Sequence, residues 1–232
     1  MSDKPICLVT APVATRSGYG AHSRDICRSL IKLDRYDVRI WPVRWGSTPM
    51  NALHKDDPND IIIIERLLES PNIERQPEIH IHIVIPTEFQ PVGKYNIGIT
   101  AGLETNLCKP EWIQGMNKMN LNLVPSKFVH NTLSQIAYNI QDDKTQQVTG
   151  QLKNEKPLEV LFEGADTNIY KKTNKFSKSL VEEMDKVDEK FNFLYVGHWL
   201  QGNLGEDRKD TGMLVKVFLE TFKNMKNKPA LI

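Results

Sequence analysis

The stretch ICLVTAPVATRSGYGAHSRDICRSL, residues 6–30, begins with an apolar strand pattern and ends with an amphipathic helix pattern. Its spacing predicts a strand at residues 6–10 and a helix at residues 21–33. The predicted loop between them carries Gly18, Tyr19 and Gly20. Two explanations of the glycines stay open. They permit a tight turn without any ligand, or they bring backbone N–H groups close to an anion at the start of the helix.

Strand and helix patterns alternate along the rest of the chain. Further strands are predicted at residues 38–43, 78–85, 96–100, 121–124 and 158–162. Pro110 suits the first turn of one helix and Ser126 the N-cap of another, whereas IIII, residues 61–64, fits either a helix or a strand. Such alternation is typical of a parallel sheet covered by helices. We therefore predict an α/β fold, with a Rossmann-like parallel sheet sandwiched by helices.

A polar, lysine-rich and acidic segment at residues 173–189 predicts a linker between two domains. The first domain is then residues 1–172 and the second is residues 190–232. The second contains a strand pattern (FNFLYVGHW), a glycine-rich loop and a helix pattern (TGMLVKVFLETF). Because KPALI resembles the first half of another strand, we expect an incomplete second Rossmann-like domain whose unpaired edge invites self-association.

The overall composition is that of a soluble globular protein. The chain has 232 residues, 40% hydrophobic and 25% charged, with a formal net charge of +1, so nothing indicates a general electrostatic role on nucleic acid or membranes. The N-terminus lacks the apolar core of a secretory signal, and no apolar block is long enough to span a bilayer. Three cysteines without metal-ligand spacing fit a reducing, cytoplasmic location.

His80 and His82 alternate with isoleucines in EIHIHIVI, so both should lie on one face of a strand. Two histidines with this spacing can bind a metal, but no third ligand is evident in the sequence. Hydrogen-bonded histidines of a core or cleft are therefore the preferred interpretation. The chain also has no Asp-x-Asp motif, and we expect no metal.

A dinucleotide site is the alternative interpretation of the glycine-containing loop. Gly18-x-Gly20 lacks the third glycine of the Rossmann fingerprint, because Ser23 occupies that position. The predicted second strand is followed by Arg44, where an acidic residue would bind a ribose. An arginine there suits a 2′-phosphate, so NADP binding stays open as a minor alternative.

The segment YNIGITAGLETNLCKPEWIQGMNKMNLNLVPSKFVHNTL, from Tyr95, carries several motifs in a recognisable order. A strand is followed by a Glu-Thr pair and then by a helix that begins with Pro-x-Trp. The next strand ends in Val-Pro-Ser and is followed by a helix with a phenylalanine near its start. The residues are Glu104, Thr105, Pro110, Trp112, Val124, Pro125, Ser126 and Phe128. This order resembles the N-terminal domain of the retaining glycosyltransferases of family 4, which have the two-domain GT-B fold.

Three other segments extend the resemblance from about residue 6 to the end of the chain. SGYGAHSRDICRSL is similar to the first glycine-rich loop and helix of the family, and EGADTNIYKK to its Gly-Val-Asp-x-x-x-Phe segment. FLYVGHWLQGNLGEDRKDTGMLVKVFLETF resembles the opening of the C-terminal, donor-binding domain. Its Arg208 and Lys209 occupy the basic signature of that loop, and Asp210 stands where the family usually has glycine.

The resemblance implies transfer of a sugar from a nucleotide-diphosphate-sugar to an acceptor hydroxyl, with retention at the anomeric carbon. The implied contacts with the donor diphosphate are Arg208, Lys209, Gly18, Tyr19 and Gly20. The implied acceptor or cleft residues are Glu104, Thr105, His198 and Ser126. The nucleotide sugar is a co-substrate, no cofactor or metal is expected, and the acceptor is a glycan, a lipid-linked molecule or another hydroxyl compound.

Two departures from the family leave the catalytic residue unassigned. Ala101, Gly102 and Leu103 stand where many members have a histidine. The second half of the C-terminal domain, where the family has the Glu-x7-Glu segment that binds the donor sugar, is not part of this sequence. The chain by itself is therefore expected to have little transferase activity. Another GT-B enzyme, such as a nucleotide-sugar epimerase, and a non-catalytic ligand- or partner-binding fragment stay open as alternatives.

Overall fold

The computed structural model describes residues 4–142, 144–197, 199, 202–206 and 209–232. The chain divides into two compact units, Met1–Ala165 and Asp166–Ile232, which are described separately. The described helices include none that combines the length and the apolar sequence needed to cross a bilayer.

The first unit is built on a six-stranded sheet in which every neighbouring pair of strands is parallel. The strands of this unit are β1 Ile6–Ala11, β2 Asp37–Pro42, β3 Ile79–Ile83, β4 Tyr95–Ile99, β5 Leu121–Val124, β6 Ala137–Gln141, β7 Val148–Lys153 and β8 Leu158–Val160. The order in the sheet is β2-β1-β3-β4-β5-β8, and β6 and β7 form a separate antiparallel hairpin. The prediction of a parallel α/β sheet is confirmed.

Helices flank this sheet. They are α1 Gly18–Leu33, α2 Pro58–Ile64, α3 Pro110–Met116 and α4 Lys127–Gln135. Apolar residues of β1, β2 and β3 form one buried cluster with α1 and α2, and a second buried cluster contains residues of α3 and α4. Because successive side chains of a strand point to opposite faces, each face of the sheet contributes to its own core.

Helix α1 begins three residues earlier than the sequence pattern predicts. Ser17 has an extended backbone, and its hydroxyl accepts a hydrogen bond from the Gly20 N–H group at 2.9 Å. This is the geometry of an N-cap, which satisfies one of the free donors of a first turn. Gly18, Tyr19 and Gly20 therefore lie in the first turn of α1, and the interpretation of these residues as a loop was wrong.

The other differences from the sequence predictions concern where helices and strands begin and end. The IIII stretch is helical and forms most of α2, which is capped by Asp57 and has Pro58 in its first turn. The strands predicted at residues 78–85 and 158–162 are shorter, as β3 and β8 show. Pro86 opens a short 3-10 turn after β3, because proline has no N–H group for a strand ladder.

The order of the strands defines where this sheet offers a binding edge. From β1 the chain moves to β2 on one side, and it then crosses to β3 on the other side. The carboxyl ends of β1 and β3 therefore flank a topological switch point, with β4 next to them. Open parallel sheets bind their ligands in the crevice outside the carboxyl ends at such a point.

The second unit contains α5 Lys178–Met184, β9 Asn192–Phe193, α6 Thr211–Phe222 and β10 Ala230–Leu231. Strands β9 and β10 are parallel neighbours, and α6 lies between them in sequence. This arrangement is a strand–helix–strand crossover, the building block of parallel α/β sheets. Helix α5 falls inside the segment that the sequence interpreted as a linker. An incomplete second domain and self-association through its edge stay predictions.

Candidate functional site

The two glycines at the start of α1 have different surroundings. Gly20 is buried, and a Cβ atom added to it would lie 2.3 Å from the carbonyl oxygen of Thr15. Gly18 is exposed, and an added Cβ would meet no atom within 4 Å. Gly20 is thus required by close packing against the preceding segment. Gly18 instead keeps the approach to the helix end open.

Free backbone donors lie beside Gly18. Ser17 receives the Gly20 N–H group on its side chain and the Ala21 N–H group on its carbonyl oxygen. Within the part of the chain that the structure describes, the N–H groups of Gly18 and Tyr19 have no hydrogen-bond acceptor. Unpaired N–H groups and the positive end of the helix dipole favour an anion at this position.

Tyr19 extends from the first turn of α1 to the carboxyl end of β4. Its ring stacks on Trp45 with the ring centroids 4.0 Å apart. Its hydroxyl lies 2.9 Å from the Thr100 hydroxyl and accepts a hydrogen bond from the Ala101 N–H group at 3.0 Å. Burial raises the pKa of the Tyr19 hydroxyl, and Glu163 and Glu88 add to the rise although both hydrogen bonds oppose it. The phenol is therefore neutral, and its hydroxyl is engaged within the protein.

Glu104 and Thr105 lie on the loop between β4 and α3, and both are exposed. The Thr105 hydroxyl donates to the carbonyl oxygen of Leu107 at 2.9 Å. At the start of this loop Gly102 has a φ of +76°, and a Cβ atom added there would lie 2.3 Å from Val129 of α4. The loop is therefore anchored at its beginning and presents its polar residues to solvent.

Ser126 caps α4, as the sequence predicts. Its hydroxyl accepts a hydrogen bond from the Val129 N–H group at 3.2 Å. The residue also follows the carboxyl end of β5, on the same edge of the sheet as Tyr19 and Thr100. Ser126 thus has a structural role, and contact with an acceptor stays a prediction.

Two residues that the sequence interpretation missed meet at this edge. The Nδ1 atom of His22 lies 3.9 Å from the Oε1 atom of Glu163, and the His22 side chain is only 14% exposed. His22 follows Tyr19 by three residues on α1, so both lie on one side of the helix. Glu163 comes shortly after β8. Its position after a predicted parallel strand was the signal that could have identified it, since the carboxyl ends of parallel strands share one edge.

In the second unit, Asp210 provides a conformation that glycine normally supplies. Its φ is +50°, in the left-handed region, directly before α6. Its carboxylate accepts a hydrogen bond from the Gly205 N–H group at 3.0 Å. Asp is one of the few non-glycine residues that tolerate this region, so Asp210 can adopt a backbone conformation that glycine usually supplies. Lys209 is exposed beside it, whereas Arg208 and His198 lie outside the described residues.

His80 and His82 form a buried pair on one face of β3. The Nε2 atom of His80 lies 3.0 Å from the Thr10 hydroxyl, and Nδ1 of His82 accepts a hydrogen bond from the Gln90 N–H group at 3.1 Å. Burial lowers the pKa of His80 to about 4 and that of His82 to about 3, where the neighbouring His80 adds to the shift. No cluster of three or more potential metal ligands occurs among the residues described. The pair is a neutral part of the core.

The dinucleotide alternative lacks its usual structural setting. The fingerprint glycines normally make the turn that directly follows the first strand. Here β1 ends at Ala11, and residues 12–17 separate it from α1. Thr15 folds back within that segment, donating both its N–H and its hydroxyl to the Pro12 carbonyl oxygen. The glycines therefore belong to a helix start after a compact loop.

Two open recesses lie away from the residues discussed above, and the first of them is apolar. One, of about 350 Å³, is lined by Ile26, Leu30, Ile97, Ile99 and Leu123 beside α1. The other, of about 600 Å³, lies in the second unit and includes Phe191, Phe193, Phe222 and Met225. Neither contains a residue that the sequence assigned to a site. The first recess lacks the convergent polar groups that orient a bound small molecule, whereas the lining of the second also contains Asp188, Lys190 and Asn227.

Comparisons of the chain with protein families, curated proteins and solved structures found no match. The function is therefore inferred from the residues at the carboxyl edge of the sheet.

Proposed function

We propose that the chain belongs to a glycosyltransferase that moves a sugar from a nucleotide-diphosphate-sugar to an acceptor hydroxyl. The observation that carries this proposal is the composition of the carboxyl edge at the switch point. An open helix start lies there beside hydroxyl, imidazole and carboxylate side chains, and two of its N–H groups have no acceptor among the residues that the structure describes. Open parallel sheets use this edge for ligands.

The first unit offers two kinds of group to such substrates. The N–H groups of Gly18 and Tyr19 suit phosphate oxygens, because they are preorganised donors at the positive end of α1. His22 and Glu163 suit sugar hydroxyls, since together they offer a donor and acceptors. Glu104 and Thr105 are the further acceptor contacts in this proposal. Exposure of both side chains is compatible with that role.

In the second unit, Lys209 and Arg208 are the proposed cations for the donor diphosphate. Cleavage of the glycosidic bond leaves negative charge on the departing diphosphate, and fixed cations stabilise that charge. The left-handed Asp210 supports this proposal, because it reproduces at the start of α6 the backbone that a glycine would adopt. Retention by a leaving-group-driven reaction, a GT-B architecture and a cytoplasmic location complete the hypothesis.

The proposal predicts a selective effect at Lys209. In the full-length gene product, Lys209→Ala should lower kcat/KM for the nucleotide sugar about tenfold, the value of one charge-assisted hydrogen bond. Lys226→Ala, which removes another exposed lysine of the second unit, is the matched control and should leave kcat/KM unchanged. The measurement is sugar transfer from UDP-, GDP- and ADP-sugars to a panel of glycan, lipid-linked and simple hydroxyl acceptors.

The same assay separates the alternatives. Isomerised nucleotide sugar in the absence of any acceptor would identify an epimerase. Binding without turnover would identify a non-catalytic protein. If both Lys209→Ala and Arg208→Ala retain the turnover of the unmodified enzyme, the basic pair has no part in the reaction.

A further inference from the structure

Tyr19 joins three segments of the carboxyl edge through one side chain. Its backbone lies in the first turn of α1, its ring packs on Trp45 after β2, and its hydroxyl reaches the end of β4. The hydroxyl contacts both the side chain of Thr100 and the N–H group of Ala101. An aromatic ring that is stacked on one side and hydrogen-bonded at its tip has little freedom to move.

Thr100 extends this network by one residue. Its hydroxyl accepts a hydrogen bond from the Gly102 N–H group at 3.2 Å while it contacts the Tyr19 hydroxyl. Two successive backbone N–H groups after β4 are thus held by two hydroxyl groups. Thr100 is almost completely buried, with 2% of its surface exposed, which limits the access of water to the contacts of its hydroxyl group.

The same stretch of backbone also lies close to α4. Gly102 is in the left-handed region, and its Cα approaches Val129 so closely that a Cβ would overlap the valine. The chain therefore leaves β4 in contact with Tyr19 and close to Val129. Beyond this point residues 104–107 are exposed. Residues 100–102 therefore help to determine the direction in which Glu104 and Thr105 are presented.

We propose that Tyr19 is a positioning residue, which holds the Glu104–Thr105 loop in place through its hydroxyl. This role differs from contact of the Tyr19 side chain with a diphosphate. It leaves the backbone N–H group of Tyr19 available to an anion, since ring and hydroxyl are directed away to Trp45 and Thr100. The substrate-related part of this inference rests on the proposed function, whereas the effect on the loop does not.

Hydrogen exchange tests the effect on the loop. Tyr19→Phe keeps the stacked ring and removes only the hydroxyl, so the amide of Ala101 should exchange about tenfold faster. Thr100→Val should accelerate the amide of Gly102 to a similar degree. Tyr95→Phe is the matched control, because Tyr95 is 44% exposed at the amino end of β4. It should change neither amide.

Two results would overturn the proposal. One is unchanged exchange at Ala101 in Tyr19→Phe. The other is equal acceleration at Ala101 and at the interior β4 amides of Ile97 and Ile99, which would assign the hydroxyl to general stability. Faster exchange at Ala101 with unchanged exchange at the β4 amides supports the positioning role of Tyr19.

Kinetics of the full-length gene product give the second readout. Tyr19→Phe should raise KM for the acceptor several-fold while KM for the nucleotide sugar stays the same, because the loop carries the proposed acceptor contacts. A rise confined to the nucleotide-sugar KM would contradict positioning of an acceptor loop. If the unmodified enzyme transfers no sugar, the proposed function fails, and the exchange result still decides the role of Tyr19.

Discussion

Gly20→Ala should lower the free energy of unfolding of the first unit by about 2–3 kcal/mol, as expected for overpacking against rigid backbone. The added Cβ would lie 2.3 Å from the Thr15 carbonyl oxygen and 2.7 Å from the Thr15 hydroxyl. Thr15 is held by hydrogen bonds to Pro12 and cannot withdraw without breaking them. Relief of the overlap would also disturb the cap that Ser17 forms on α1.

Gly18→Ala is the matched control for this substitution. It adds the same methyl group two residues away, where no atom lies within 4 Å. Its effect on stability should be small or slightly favourable, because alanine is the better helix former. Under the proposed function it should instead weaken binding of a nucleotide sugar, since a Cβ would then stand beside N–H groups that have no acceptor among the described residues.

Urea unfolding followed by tryptophan fluorescence measures the stability of both variants, Gly20→Ala and Gly18→Ala. Trp41, Trp45 and Trp112 lie in the first unit, and a Trp199→Phe background removes the signal of the fourth tryptophan. A difference in midpoint at constant slope reports a change in stability. Equal midpoints for Gly20→Ala and Gly18→Ala would show that packing does not require glycine at residue 20.

The fold was predictable because its strands have strong local signals. Buried parallel strands appear as short apolar runs rich in β-branched residues, and β1 (ICLVTA) has this pattern. In β3 (IHIHI) and β4 (YNIGI) isoleucines alternate with other residues, which is also a strand pattern. The error at the start of α1 has a physical cause. Glycine was interpreted by its usual preference for loops, whereas the Ser17 cap and the tight contact of Gly20 with Thr15 stabilise a helix there.

The hairpin β6–β7 was missed because its sequence lacks a buried face. Most of its residues are exposed, including Ile140 and Val148. Its turn is instead stabilised by the carboxylate of Asp142, which accepts hydrogen bonds from the N–H groups of Lys144 and Thr145. A strand without alternation of apolar and polar residues gives no signal of period two.

The candidate site was only partly predictable, because its contacts are long-range. The Tyr19 and Thr100 hydroxyls are 81 residues apart in sequence, and no local pattern indicates that they meet. Gly18 and Tyr19 were candidates because glycines next to a predicted helix start suggest an anion site, although the helix begins earlier than the sequence predicts. The pairing of His22 with Glu163 depends on the neighbouring positions of α1 and the segment after β8, and it emerges only when the sheet is assembled.

The buried pair of His80 and His82 should make the first unit strongly sensitive to mild acid. Both groups have a lower pKa in the folded state, about 4 and about 3, than the ordinary value of 6.5. Between the folded and the unfolded pKa of each histidine, the unfolded chain binds more protons than the folded protein. The free energy of unfolding therefore falls as the pH falls below about 6.5. Each histidine should cost about 2 kcal/mol at pH 5, because one pKa unit corresponds to about 1.4 kcal/mol.

Between pH 7 and pH 5 the effect of the two histidines on stability can be measured apart from that of the carboxylates discussed here. Hydrogen bonds from the Ile6 N–H group and from Lys94 lower the pKa of Glu78 to about 2. Its stabilising effect is therefore present above about 4.5 and is lost only at lower pH. Asp34 and Asp142 also have lowered pKa values, so their contributions change below the same window.

A double variant tests this origin of the acid sensitivity. His80→Gln and His82→Asn place amide groups near the ring nitrogens that contact Thr10 and Gln90, and they remove both titrating groups. The variant should be less stable than the unmodified protein at pH 7, because it loses ring packing. Its urea midpoint should then change little between pH 7 and pH 5, whereas the midpoint of the unmodified protein falls.

His54→Asn, at an exposed histidine, is the control and should keep the full acid sensitivity. An equal fall of the midpoint in the double variant would show that other groups destabilise the fold, since a neutral amide neither gains nor loses a proton in this range.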